Sequence, residues 1–134
     1  MRLEITQRAD LAVRALVALA RGPERLKSGD LADALGTTAG FVPQVMGPLV
    51  RAGWVRSDPG PTGGYRLTAD LDEMSVLQVI EEIDGPTESG RCVVAGGLCA
   101  SRQPCSLHVA WARARHELVT SLRSMSVAAA GVSA

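Results

Sequence analysis

Apolar residues recur at helical spacing from Thr6 to Arg21, where Leu11, Ala12, Ala15, Leu16 and Leu19 share one face and Gly22-Pro23 ends the run. Ser28 stands where a helix N-cap is expected, with Asp30 in the first turn. A short helix is therefore predicted over Gly29 to Leu35, stopped by Gly36. A third helix, capped by Thr37 or Thr38, should run to about Ala52 with Phe41, Val45, Leu49 and Val50 inward and Gly53 past its end. Pro43 falls near its first turn, where a missing amide costs little, but Pro48 should kink or weaken the second half. Trp54-Val55-Arg56-Ser57 then reads as a strand, Asp58 to Gly64 as turn residues throughout, and Tyr65-Arg66-Leu67 as the returning strand.

The second half of the chain opens with a helix over Ser75 to Asp84, with Val76, Val79, Ile80 and Ile83 inward and Gly85-Pro86 ending it. A loop covers residues 87–105. A long amphipathic helix follows from Ser106 to about Met125, with Leu107, Trp111, Ala114, Leu118, Leu122 and Met125 at heptad-like spacing and Ala110 on the same stripe. That stripe either covers the domain's own core or, being too apolar for an outermost helix, meets a second copy of the chain, and the second is the expectation. The tail from Ser126 is small-residue sequence with little to hold it and is expected to fray. The fold class is thus mainly α with a small β-hairpin. The chain divides into 1–85, a loop over 86–105, and 106–134 as interface helix and tail.

Two helices separated by a Gly-containing turn form a helix-turn-helix pattern, and a hairpin placed directly after the second helix is the wing of a winged helix. The reading is a winged helix-turn-helix domain plus a long C-terminal dimerisation helix. On the second helix Thr38, Ala39, Gly40 and Gln44 fall on the outer face, where Gln44 is suited to reading adenine, while Lys27, Thr37 and Thr38 suit phosphates. In the wing, Thr62 with Gly63 and Gly64 lets the tip approach a phosphate backbone, flanked by Arg56 and Arg66. The partner implied is double-stranded DNA with a palindromic operator, and two half-sites call for a homodimer.

Charge does not oppose this. The net charge is zero, but residues 1–66 carry +3, residues 67–91 carry −6 and residues 92–134 carry +3, so a basic face on the first half is compatible with the total. No nucleophile–base pair, paired carboxylates or phosphate-cradling loop stands out, so an enzyme is not expected. The longest strongly apolar run, Ala15 to Ala20, is far too short for a membrane span. Met1 to Thr6 lacks the basic and apolar regions of an export signal, so the expected location is the cytoplasm.

Cys92, Cys99 and Cys105 are the only cysteines and lie within fourteen residues, followed by His108 in the pattern Cys-x6-Cys-x5-Cys-x2-His. Thiolates are the ligands that iron–sulfur clusters and zinc select, and imidazole is a common fourth partner. A disulfide framework fits an odd count poorly. His116, with no cysteine nearby, reads as a surface residue.

Taken together, Met1-Arg2-Leu3, the stretch Asp10-Leu11-Ala12-Val13-Arg14-Ala15-Leu16, the wing Gly63-Gly64-Tyr65-Arg66-Leu67 and the three cysteines resemble the IscR and NsrR family of winged-helix transcription regulators. The resemblance covers essentially the whole chain. It implies a homodimer with the long helix at the interface and a cluster near that interface that tunes DNA affinity. It also implies an iron–sulfur cluster of one of two kinds. A 2Fe–2S cluster would be completed by His108, and a 4Fe–4S cluster by Asp10 reaching over from the partner subunit. Asp10 also has an ordinary partner four residues on, in Arg14. The first cysteine gap is one residue longer than the five usual in the family. Pro59 stands where IscR-like wings often carry a basic residue. Competing readings are structural zinc on Cys92, Cys99, Cys105 and His108, a metal-free thiol–disulfide switch, and a protein-interaction module without DNA binding.

Overall fold

The computed structural model describes residues 1–94, 97 and 105–131. Helix α1 (Gln7–Arg21) is the centre of the fold, burying Ala9, Leu11, Ala12, Ala15, Leu16 and Leu19. Three of those six are alanines, which let α2 (Ser28–Leu35), α3 (Val42–Arg51) and α4 (Val76–Asp84) approach its backbone closely. Thr6 caps α1 by accepting from the Ala9 amide, and its hydroxyl donates to the Asp84 carboxylate at 2.7 Å. The start of α1 is thereby tied to the end of α4. Leu16, Leu31, Val42, Met46, Leu49, Val79 and Val127 are the largest fully buried side chains.

Local chemistry moves two helix starts from where the pattern placed them. The cap of α2 is Lys27 rather than Ser28, and the Lys27 amide donates to the Asp30 carboxylate at 3.4 Å. Gly36 ends this helix in the left-handed region at φ 68°, and the Thr37 amide turns back onto the Ala32 carbonyl. The following helix does not begin at Thr38. Thr38 to Phe41 form a turn, closed by the Phe41 amide on the Thr38 carbonyl, and α3 starts at Val42. Pro43 lies in its first turn as expected. Pro48 sits buried inside the helix, which nevertheless continues to Arg51. It has no amide to give the Gln44 carbonyl, and its ring serves the core instead.

The hairpin is antiparallel, pairing β1 (Val55–Asp58) with β2 (Gly64–Leu67) in the register Val55↔Leu67 to Asp58↔Gly64. Leu26 joins the free edge of β2 through a bridge to Tyr65, with N···O distances of 3.0 and 2.8 Å. The Thr68 hydroxyl donates to the Gly53 carbonyl at 2.9 Å, fixing the root of the hairpin to the end of α3. Helix α4 opens with a reciprocal cap, in which Gln78 N–H donates to Ser75 Oγ at 3.1 Å and Ser75 N–H donates to Gln78 Oε1 at 2.8 Å.

Helix α5 (His108–Ser124) is 17 residues long and buries none of them. Trp111 and Leu118 remain 36% and 44% exposed, and only Leu122 of the heptad-like set packs on the core. Over the described part of the tail, Ser126 to Gly131, the expected fraying is not what the structure has. Val127–Ala130 form a further helix, α6, capped by the Ser126 hydroxyl, and Val127 is wholly buried. Backbone pairing makes this possible. Ser126 bridges Ser75, the Val76 amide donates to Met125 and the Val127 amide to Met74, both at 2.8 Å. Arg21 also donates to the Gly131 carbonyl. No helix among the described residues is long and apolar enough to cross a membrane.

Candidate nucleic-acid interface and metal centre

The helix-turn-helix pair and the wing form one continuous unit. Gln44 lies exposed in the first turn of α3, its amide donating to Phe41. Thr38, Ala39 and Gly40 are exposed in the preceding turn rather than on the helix, and Thr37 is half-buried beside them. Lys27 is exposed and adjoins the wing, because a Cβ on Gly64 would lie 3.5 Å from its backbone nitrogen. Lys27, the Thr37–Gly40 turn, Gln44 and the hairpin are thus presented by elements packed directly on one another.

The wing glycines serve the chain's own packing. Gly63 is buried, and a Cβ there would collide with the Asp58 carbonyl oxygen and lie 2.6 Å from that of Pro59. Gly64 has φ 138°, and its Cβ would come within 2.7 Å of the Leu26 carbonyl oxygen. Both glycines are needed for the hairpin to close and for Leu26 to bridge it. Their expected role in close approach to phosphate is not what demands glycine here.

The wing cations are already partnered. Arg56 pairs with Asp58 at 3.0 Å and Arg66 with Glu24 at 3.0 Å. Arg25, which the sequence pattern did not single out, reaches Asp58 at 3.7 Å and donates to the Thr62 carbonyl at 3.3 Å. The signal for Arg25 was its place one residue before Leu26. It becomes meaningful only once Leu26 is seen to pair with the wing.

Of the cysteine segment, Cys92 is buried, and its Sγ accepts the Val94 amide at 3.4 Å. Hydrogen bonds to sulfur are among the levers that tune a cluster's potential. Cys105 is partly exposed, and its carbonyl accepts the His108 amide at 3.0 Å, which sets His108 at the first position of α5. Cys99 lies outside the described residues, and among those described no three metal donors converge. The donor set itself, three thiols and an imidazole within one short segment, fits an iron–sulfur centre. Asp10 pairs with Arg14 at 3.7 Å, both about half exposed, as an i,i+4 pair. His116 is exposed on α5.

The sequence profile of the Rrf2 family, described as an iron-dependent transcriptional regulator, matches residues 5–130. The chain belongs to the Rrf2 family. Its relatives are transcriptional regulators rather than enzymes. They include IscR of Vibrio vulnificus, 31% identical over 81% of this chain and 66% of that one, and IscR of Cronobacter sakazakii, 29% identical over 81% and 68%. Among solved structures, CymR (YrzC), the global cysteine regulator of B. subtilis, superposes with a TM-score of 0.78 at 20% identity, covering 99% of each chain. IscR of T. potens gives 0.69 at 20% identity, covering 95% of this chain and 85% of that one. The winged-helix fold expected from the sequence is therefore the fold of this Rrf2 protein.

Proposed function

We propose that this Rrf2 regulator binds a palindromic operator as a homodimer and represses transcription, with an iron–sulfur cluster on Cys92, Cys99 and Cys105 setting its affinity for DNA. The observation that carries the reading is the join between the cysteine segment and α5. Cys105 holds the His108 amide, His108 begins α5, and α5 leaves Trp111 and Leu118 uncovered in the single chain. A second copy packed along that stripe would cover them. At its far end α5 runs into the Ser126 bridge and the buried Val127, so a shift of α5 is passed to the winged helix rather than absorbed in a loose tail. Coupling of about 1–3 kcal/mol would alter operator affinity by roughly 5–150-fold.

His108 is the fourth ligand in this reading, because it lies one turn beyond Cys105 on the same segment. Asp10, offered by a partner subunit, is the alternative and would have to give up its pairing with Arg14. The cluster, when bound, supplies an anchor sensitive to oxidation, nitric oxide and iron supply. Cys92 and Cys105 are the outermost of the three thiols that would hold it. On the DNA side Gln44 reads bases, while Lys27, Thr37 and Thr38 position the phosphate backbone.

The test is purification without oxygen, with iron and sulfide counted per chain and operator binding measured before and after the cluster is removed. Coloured protein that loses or gains affinity on removal supports the reading. The likeness in fold to CymR of Staphylococcus aureus, solved in an oxidized form, supports a second reading, a metal-free thiol switch. It expects colourless protein that forms an intramolecular disulfide under mild oxidant.

A further inference from the structure

We infer that Asp58 acts as an internal substitute for a DNA phosphate, holding Arg25 and Arg56 on the wing and keeping them from the DNA backbone. The inference rests on the DNA-binding reading above. Asp58 closes β1 and is itself only 20% exposed, while Arg56 and Arg25 are 61% and 41% exposed. One oxygen, Oδ1, accepts from Arg56 Nε at 3.0 Å. The other, Oδ2, is buried without a hydrogen bond and faces Arg25 at 3.7 Å. Arg25 is further fixed by the Thr62 carbonyl at the wing tip. A carboxylate that meets two guanidinium groups is the arrangement a phosphate would otherwise provide.

Charge counting makes the same point. The wing and its bridging segment, residues 24–27 and 55–67, bring four cations, Arg25, Lys27, Arg56 and Arg66, against two acids, Glu24 and Asp58, which leaves +2. The hairpin thus offers the DNA little net charge for its number of cations. Pro59, which follows Asp58 in the turn, adds none. Glu24 is 76% exposed, so its hold on Arg66 is readily exchanged for a phosphate, whereas Asp58 sits deeper between its two partners. Sequence-independent attraction would then be weak, and discrimination would fall to the base-reading turn and the start of α3.

The test uses the full chain and a fluorescently labelled mixed-sequence duplex, with affinity measured by anisotropy across a salt series. Each phosphate neutralised steepens the dependence of log affinity on log salt by about 0.9. Asp58→Asn should steepen that slope by about 0.9 for each arginine released, up to about 1.8 for both, and tighten binding roughly tenfold or more at low salt. The gain should be lost when Arg25 and Arg56 are both replaced by Gln. Arg56→Gln alone, which leaves Asp58 in place, should keep the wild-type slope. Unchanged or weaker binding by Asp58→Asn would overturn the inference, as would a gain that persists without the two arginines. So would a slope that falls by about one in Arg56→Gln, since that cation would already be on the DNA. If the unsubstituted protein failed to bind any duplex at low salt, the DNA reading would fall and the inference with it.

Discussion

Val127→Ala tests the docking of the C-terminal helix directly. Val127 is fully buried and belongs to the core cluster that contains Leu16, Leu31 and Val79. Two methyl-sized groups leave on substitution, each worth about 0.8 kcal/mol of transfer free energy. Incomplete collapse of the cavity adds to this, for a total of about 2 kcal/mol. With an unfolding entropy near 2.1 cal/mol/K per residue, a chain of 134 residues should melt about 7 °C lower. The assay is thermal or urea unfolding at one fixed protein concentration, since any self-association makes Tm depend on concentration. Ala129→Ser, on the exposed side of the same helix, serves as the control and should stay within about 0.5 kcal/mol. If Val127→Ala were as silent as the control, α6 would not be docked and its bridge to Ser75 would carry no load.

Other expectations follow from the same contacts. Gly63→Ala should open the wing turn, because its Cβ has no room beside Asp58 and Pro59; weaker DNA binding at an unchanged core melting temperature would show it. Leu118→Glu should convert a dimer to a monomer in sedimentation equilibrium, because Leu118 is exposed in the single chain and lies on the stripe assigned to the partner; an unaltered mass would remove α5 from the interface. Gln44→Ala should relax base preference by about 1–3 kcal/mol at one position of a selected operator. Equal loss on all sequences would make Gln44 a backbone contact instead.

Much of this architecture can be read from the chain because local chemistry marks it. Gly36 and Gly85 terminate their helices as the pattern expects, while Thr6 and Ser75, read as the first residues of theirs, stand just outside and cap them. The hairpin is legible because its turn residues exclude every other structure. What escapes the pattern depends on distant partners. Val127–Ala130 is only four residues, too short for a periodic signal, and is held by backbone bonds to Met74 and Leu71 more than fifty positions away. Thr38 looks like a cap, yet Thr38 to Phe41 spend their hydrogen bonding on a turn that delays α3 to Val42.

The candidate site divides in the same way. Arg56 and Arg66 are visible as cations beside a turn, but their carboxylate partners are a matter of tertiary geometry. Glu24 lies 42 residues before Arg66. Gly63 and Gly64 were expected at the wing tip, and the reason for them is the crowding of Asp58, Pro59 and Leu26. The cysteines needed no structure to be noticed, since three of them with a histidine in one short segment is a chemical pattern before it is a geometric one.

In the function proposed above, thiols of Cys92, Cys99 and Cys105 hold a cluster that governs how this Rrf2 regulator grips DNA. The most direct measurement is iron and acid-labile sulfide per chain in oxygen-free protein, paired with operator affinity for the loaded and the stripped forms. Iron and sulfide should be stoichiometric and lost in Cys105→Ser, and the affinities of the two forms should differ by roughly fivefold or more. Protein free of iron that binds its operator unchanged would contradict it.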